Sequence, residues 1–141
     1  MADQKKALTL DMVTPDREVI SSVTLQKLVV PAEEGEITIL PDHRPLITTL
    51  TTGTVVFHYE HGEWDAASIS WGFAEIKDNH VVLLAETLEL AREIDTRRAT
   101  FAKEFAEKKL LTETLSEREF NKYQLKMDRA VSRIRAGRFG Q

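Results

Sequence analysis

Apolar and polar positions alternate in short runs along most of the first ninety residues. Ala7-Leu-Thr-Leu-Asp-Met-Val-Thr14 shows the two-residue period of a half-buried strand, and Pro15-Asp16 turns it into Glu18-Val-Ile-Ser21. Leu25-Gln-Lys-Leu-Val-Val30 reads as a strand ending at Pro31, and Thr54-Val-Val-Phe-His-Tyr59 is rich in β-branched and aromatic residues. Glu60-His-Gly-Glu63 predicts a turn into Trp64–Ile69, and Phe73–Ile76, Asp78-Asn79 and Val81–Ala85 predict a last hairpin. Many short strands with frequent turn signals predict an antiparallel β-sandwich or flattened barrel of eight to ten strands.

From Thr87 the period lengthens. Ala99, Ala102, Ala106 and Leu110 follow helical spacing, with Phe101 and Phe105 on a neighbouring line. Leu111-Thr-Glu-Thr114 is a short connection, and Ser116-x-x-Glu119 is a capping-box signature. Behind it, Phe120, Tyr123, Met127, Ala130, Val131 and Ile134 form one stripe of 3.5–3.6 period, and Gly137 and Gly140 end the helix. The fold class expected is α+β: a sandwich over residues 1–87, then an antiparallel helical hairpin over residues 88–141.

One stretch of the β half stands apart. Residues 33–53 form two β runs, carried by Ile37 and Ile39, then by Leu46 and Leu50, around a corner stiffened by Pro41 and Pro45. That corner holds Asp42 and His43 at its tip, as a contact surface or as an ordinary Pro-rich connection.

Charge sharpens the division. The net charge is −4, but residues 116–141 hold seven cations against three acids, a local +4 that leaves −8 on the rest. An acidic body with a basic tail predicts two surfaces with different partners and argues against nucleic acid for the whole chain. On the second helix, Lys122, Lys126, Arg129 and Arg133 fall on one stripe. They are either a solvated face or a grip on something acidic, which would relieve their mutual repulsion. The sequence has no cysteine, so disulfides and thiolate chemistry are excluded. His43, His58, His61 and His80 lack companions at metal-ligand spacing, and no phosphate loop or catalytic constellation is present. No enzymatic activity and no metal are expected. No apolar run approaches a membrane span, and Met1–Lys6 resembles neither a signal nor a transit segment, so the expected compartment is that of synthesis.

Gly35-Glu36, Leu40-Pro41-Asp42-His43-Arg44-Pro45-Leu46, Leu50 and Gly53 resemble the signature of epsilon subunits of F-type ATP synthases. Asp42 stands where Gly or Asn is usual, and Thr38 where many members carry Gly. Ser70-Trp71-Gly72-Phe73 is similar to the family's Ser-Gly-Gly-Phe segment, and Trp71 must either find a tolerated φ or be strained. Ile94-Asp95-Thr-Arg-Arg98-Ala99 resembles an ATP-binding motif of some bacterial members.

The resemblance implies a rotor subunit bound to gamma and the c-ring, with Glu36, Asp42 and His43 facing those partners. It also implies a mobile hairpin that blocks ATP hydrolysis by extending into the catalytic head and offering Lys122, Lys126, Arg129 and Arg133 to an acidic loop of the beta subunits. A regulatory ATP would fall to Glu89, Ile94, Asp95, Arg98, Ala99, Arg129 and Arg133 and would favour the folded hairpin. Phe105 stands where tight binders often add an Arg, and Asp95 serves equally well as a helix N-cap. The implied location is the cytoplasmic face of the bacterial inner membrane, with membrane contact only through the complex. A different class of protein, a free-standing β-sandwich adaptor whose basic helix grips an acidic protein or nucleic acid, is the alternative.

Overall fold

A computed structural model describes residues 6–140. Seven strands are followed by two helices: β1 (Leu8–Val13), β2 (Glu18–Ala32), β3 (Gly35–Ile39), β4 (Leu46–Leu50), β5 (Gly53–Tyr59), β6 (Trp64–Lys77), β7 (His80–Leu90), α1 (Thr96–Thr112) and α2 (Glu117–Gly137). β1 pairs with β7 and β2, β7 with β6, β6 with β5, and β5 with β2, so these five strands close a flattened ring. β4 bridges β6 and β2, and β3 adds an edge beside β2. All pairs are antiparallel except β1 with β7. The alternating residues of the sequence face inward: Leu8, Leu10, Met12, Leu25, Leu28, Phe57, Ile76 and Leu83 are buried in one core.

Seven strands replace the expected eight to ten because two apparent turns lie inside continuous strands. In β2, Ser22 (φ 50°) forms a bulge inside the β1–β2 pairing, between Ile20 opposite Met12 and Val23 opposite Leu10, and its N–H donates to Asp11 Oδ1 at 2.7 Å. The strand takes up its β5 and β3 partners from Leu25 and Leu28 onward. Pro31 does not end that strand; it is buried within it and its carbonyl accepts from Thr51 N at 2.9 Å. β6 passes from β5 to β4 at Trp71, which adopts φ 51°. The left-handed backbone costs a non-glycine residue about 1–2 kcal/mol. Gly72 has no substitute there, because a Cβ would lie 1.9 Å from the Leu84 carbonyl oxygen.

The change of period also comes later than Thr87. β7 runs on to Leu90, with Leu88 and Leu90 buried and Leu90 opposite Ala67. Residues 88–90 therefore belong to the sheet body. A single 3-10 turn, Ala91–Glu93, links it to α1. Arg17 holds that linker by an ion pair to Glu93 at 3.3 Å, and Glu93 Oε2 accepts from Leu90 N at 3.2 Å.

Both helices start where local chemistry directs. Asp95 caps α1 by accepting from Arg98 N at 3.1 Å, and Ser116 caps α2 by accepting from Glu119 N at 3.2 Å. Glu119 closes its box onto the Ser116 hydroxyl, which donates to Oε1 at 3.0 Å. Past Gly137 the chain makes one further 3-10 turn over Arg138–Gly140.

Candidate functional site: the hairpin seam and the inter-helix groove

α2 lies against the sheet body through its last two turns. Ser132 is buried, and its Oγ sits 2.8 Å from Ser68 Oγ and 3.4 Å from Thr54 Oγ1. Thr54 Oγ1 also donates to the Ser132 carbonyl at 3.1 Å. Ala136 packs with Val56 and Ala66, and Ile94 of the linker closes this small cluster. Gly137 allows the helix to approach the start of α1, since a Cβ there would meet Thr96 Cγ2 at 2.4 Å. Two ion pairs flank the hydroxyls. Arg133 places Nε 2.8 Å from Glu89 Oε1 and donates from Nη2 to Oε2 at 3.1 Å, and Arg135 Nη1 lies 2.7 Å from Glu36 Oε1.

The rest of the hairpin is poorly covered. α2 buries no residue before Ala130. Phe101 is 70% exposed and Phe105 55%, while Leu111, Phe120, Leu125 and Val131 are exposed as well. The alanine face of α1 meets α2 only in part: Ala99 and Ala106 are buried, but Ala102 is exposed. Apolar surface of this extent outside a core is of the kind that interaction sites present.

Between the helices runs an open groove of about 560 Å³ lined by Arg98, Phe101, Ala102, Phe105, Lys126, Arg129, Ala130 and Arg133. The sequence-derived nucleotide set is thus brought together only in part. Arg98, Arg129 and Arg133 share the groove, and Glu89 joins through its pair with Arg133. Asp95 is occupied as the N-cap, Ile94 packs into the seam, and Ala99 is fully buried. Among the described residues Arg98, Lys126 and Arg129 form no ion pair. The basic stripe of α2 is divided: Lys126, Arg129 and Arg133 line the groove, whereas Lys122 lies outside it. Lys122 and Lys126 each hold their ammonium 5.7 Å from the Tyr123 ring centroid.

The proline-stiffened corner stands beside the β6–β7 turn. Asp42 has φ 68°, its N–H donates to Asn79 Oδ1 at 2.6 Å, and its carboxylate pairs with Lys6 at 3.0 Å. Lys6, and then Asn79, hold that carboxyl below its ordinary range. His43 makes its contact locally, from Nδ1 to its neighbour's Arg44 carbonyl at 2.7 Å. Nearby, His80 Nε2 lies 2.5 Å from Asp11 Oδ2, and this bond is the main reason the Asp11 carboxyl is also held low. Among the described residues no three His, Asp or Glu gather as metal ligands, and no helix is long and apolar enough to cross a membrane. Sequence reasoning missed the Thr54–Ser68–Ser132 cluster and the Arg135–Glu36 pair. Nothing local marked either: Ser132 lies on the side of α2 opposite its apolar stripe, and the partners of both contacts come from distant strands.

Comparison with known proteins covers residues 7–137. Residues 7–91 match the family model for the beta-sandwich domain of the ATP synthase delta/epsilon chain, and residues 92–137 match that for its long alpha-helix domain. The chain is 43% identical over 129 residues to an ATP synthase epsilon chain of Syntrophomonas wolfei, covering 90% of this chain and 91% of that one. It is 37% identical over 131 residues to the epsilon chain of Desulforamulus reducens, covering 93% and 97%. The fold is shared with a chain in a cryo-EM structure of the Euglena gracilis mitochondrial ATP synthase, with a TM-score of 0.77 at 22% identity, over 90% of this chain and 80% of that one. Two consecutive family domains and end-to-end relatives converge: the chain belongs to the ATP synthase epsilon chain family, as a non-catalytic subunit of that complex.

Proposed function

We propose that this chain is a central-stalk rotor subunit whose sheet body holds gamma and rests on the c-ring, and whose hairpin is a reversible brake on ATP hydrolysis. The observation that carries the brake is the seam. Three hydroxyls, two ion pairs and one small apolar cluster (Ala136 with Val29, Val56, Ala66 and Ile94) hold α2 to the body, while Phe101, Phe105, Phe120 and Leu125 stay exposed. Local opening is easiest where few apolar contacts must be lost. An alternative position that covers those phenyl groups would gain about 25 cal/mol for each Å² of apolar surface buried. In the released state Lys122, Lys126, Arg129 and Arg133 meet acidic loops of the alpha/beta head. Arg133 gives up Glu89 to do so.

The body carries the coupling role through Glu36, Asp42 and His43, on the β3 strand and the corner that follows it. The corner is held to the β6–β7 turn by Asn79, so a load on its tip passes into the β6–β7 pair, the longest strand pairing of the body. The complex carries the chain at the cytoplasmic face of a bacterial inner membrane.

ATP is the regulatory ligand of the groove. Arg98, Lys126 and Arg129 supply cations for its phosphates, and Phe101 or Phe105 a face for the base. Binding across both helices favours the folded hairpin, because a ligand shifts an equilibrium only by its differential affinity.

The test is ATP hydrolysis by the catalytic complex lacking this subunit, supplemented with the full chain or with a chain ending at Ala91, which keeps all of β7. Inhibition by the full chain alone, with both forms binding gamma, supports the brake. Binding without inhibition by either form removes it, and failure of both to bind gamma removes the rotor role.

A further inference from the structure

Glu36 has two claimants. In the folded molecule its Oε1 lies 2.7 Å from Arg135 Nη1, across 99 positions of sequence. The function proposed above gives the same carboxylate to the rotor. Both side chains are half exposed, and Glu36 sits on β3, the edge strand, beside the acidic positions Glu33 and Glu34. Glu33 and Glu34 have no ion pair among the described residues, so Arg135 is the cation that α2 contributes to an otherwise acidic rim.

We propose that Arg135 and the rotor surface compete for Glu36, so that seating of the β3 rim on the rotor loosens the hairpin and a docked hairpin weakens seating. This rests on the reading that Glu36 faces gamma or the c-ring. Arg135 follows Ser132 and precedes Ala136 and Gly137, so it belongs to the same two turns that form the seam. Loss of its partner acts directly on the segment that holds α2 down. By linkage the effect is reciprocal: whatever the rotor takes from the docked state, docking takes from rotor binding. An exposed ion pair is a weak tie, which sets the coupling at about two- to five-fold and makes it a bias on the brake rather than a switch.

The experiment measures the Kd of the full chain for a gamma–c-ring subcomplex, comparing the parent with Arg135→Gln, Glu36→Gln and the double variant. Both side chains are half exposed and outside the core, so the variants fold, which circular dichroism checks. Competition predicts that Arg135→Gln tightens binding about two- to five-fold, that Glu36→Gln weakens it, and that adding Arg135→Gln to Glu36→Gln gains nothing. If Glu36→Gln weakens binding while Arg135→Gln leaves it unchanged, competition is wrong and the rim assignment stands. If Arg135→Gln tightens binding equally with and without Glu36, the gain does not come from that carboxylate and competition is again wrong. If Glu36→Gln has no effect, the rim assignment fails and the competition with it.

Discussion

Replacing Ser132 by Ala tests the seam at its buried hydroxyl cluster. The change removes the hydroxyl 2.8 Å from Ser68 Oγ but leaves the Thr54 bond to the Ser132 carbonyl. Ser68 is only 7% exposed, so its hydroxyl loses its partner where water does not replace it. A buried polar group left without a partner costs about 1–3 kcal/mol, or about 5- to 150-fold in the docking equilibrium. Native-state hydrogen exchange over Ala130–Ala136 reads this directly, with amide exchange accelerated by that factor in Ser132→Ala. Removing both hydroxyls, in Ser68→Ala with Ser132→Ala, deletes the orphan and recovers most of the loss. The reasoning is refuted if Ser132→Ala exchanges within two-fold of the parent, or if the double variant exchanges faster than the single.

Other outcomes follow from the same geometry. Gly137→Ala puts a methyl group 2.4 Å from Thr96 Cγ2 and should cost about 1–3 kcal/mol in thermal unfolding, with Thr96→Ser restoring part of it. Asp95→Ala removes the α1 cap and should lower stability by about 0.5–2 kcal/mol, read by urea unfolding. Burial, and then the Asp65 carboxylate, push the Tyr59 phenol up to about 12. Its contribution is complete below the unfolded value near 10 and is lost as pH rises towards 12, so Tyr59→Phe should flatten that part of the stability profile relative to the parent.

The parts legible in the sequence were those fixed locally. Asp95 and Ser116-x-x-Glu119 announce helix starts because a cap needs only its own first turn. The alternation in β1 and β7 identifies the inward residues because each strand has one face on the core, whereas β5 is buried on both faces, its second face lying under α2. Strand number was not legible. Ser22 and Trp71 bend continuous strands through left-handed residues, and such a bend looks like a turn until its partner strands are known. Pro31 misled for a related reason, since it reads as a strand end yet lies buried one residue before the end of β2. Of the candidate groove, the helical period correctly placed Arg129 and Arg133 on one stripe. It did not show that Glu89 holds Arg133 or that Lys122 lies outside, because the partner elements set those outcomes.

A hairpin that brakes hydrolysis must leave the sheet body to do so. Thr54→Cys with Ser132→Cys places two thiols where the hydroxyl oxygens now stand 3.4 Å apart, in a chain with no other cysteine. Oxidation then fastens α2 to β5, and reduction frees it, within one protein. The decisive measurement is ATP hydrolysis by the catalytic complex carrying this variant, before and after reduction. Full hydrolysis is expected with the oxidised chain bound, and inhibition on reduction. Equal inhibition in both states, with the cross-link verified by mass spectrometry, would contradict it.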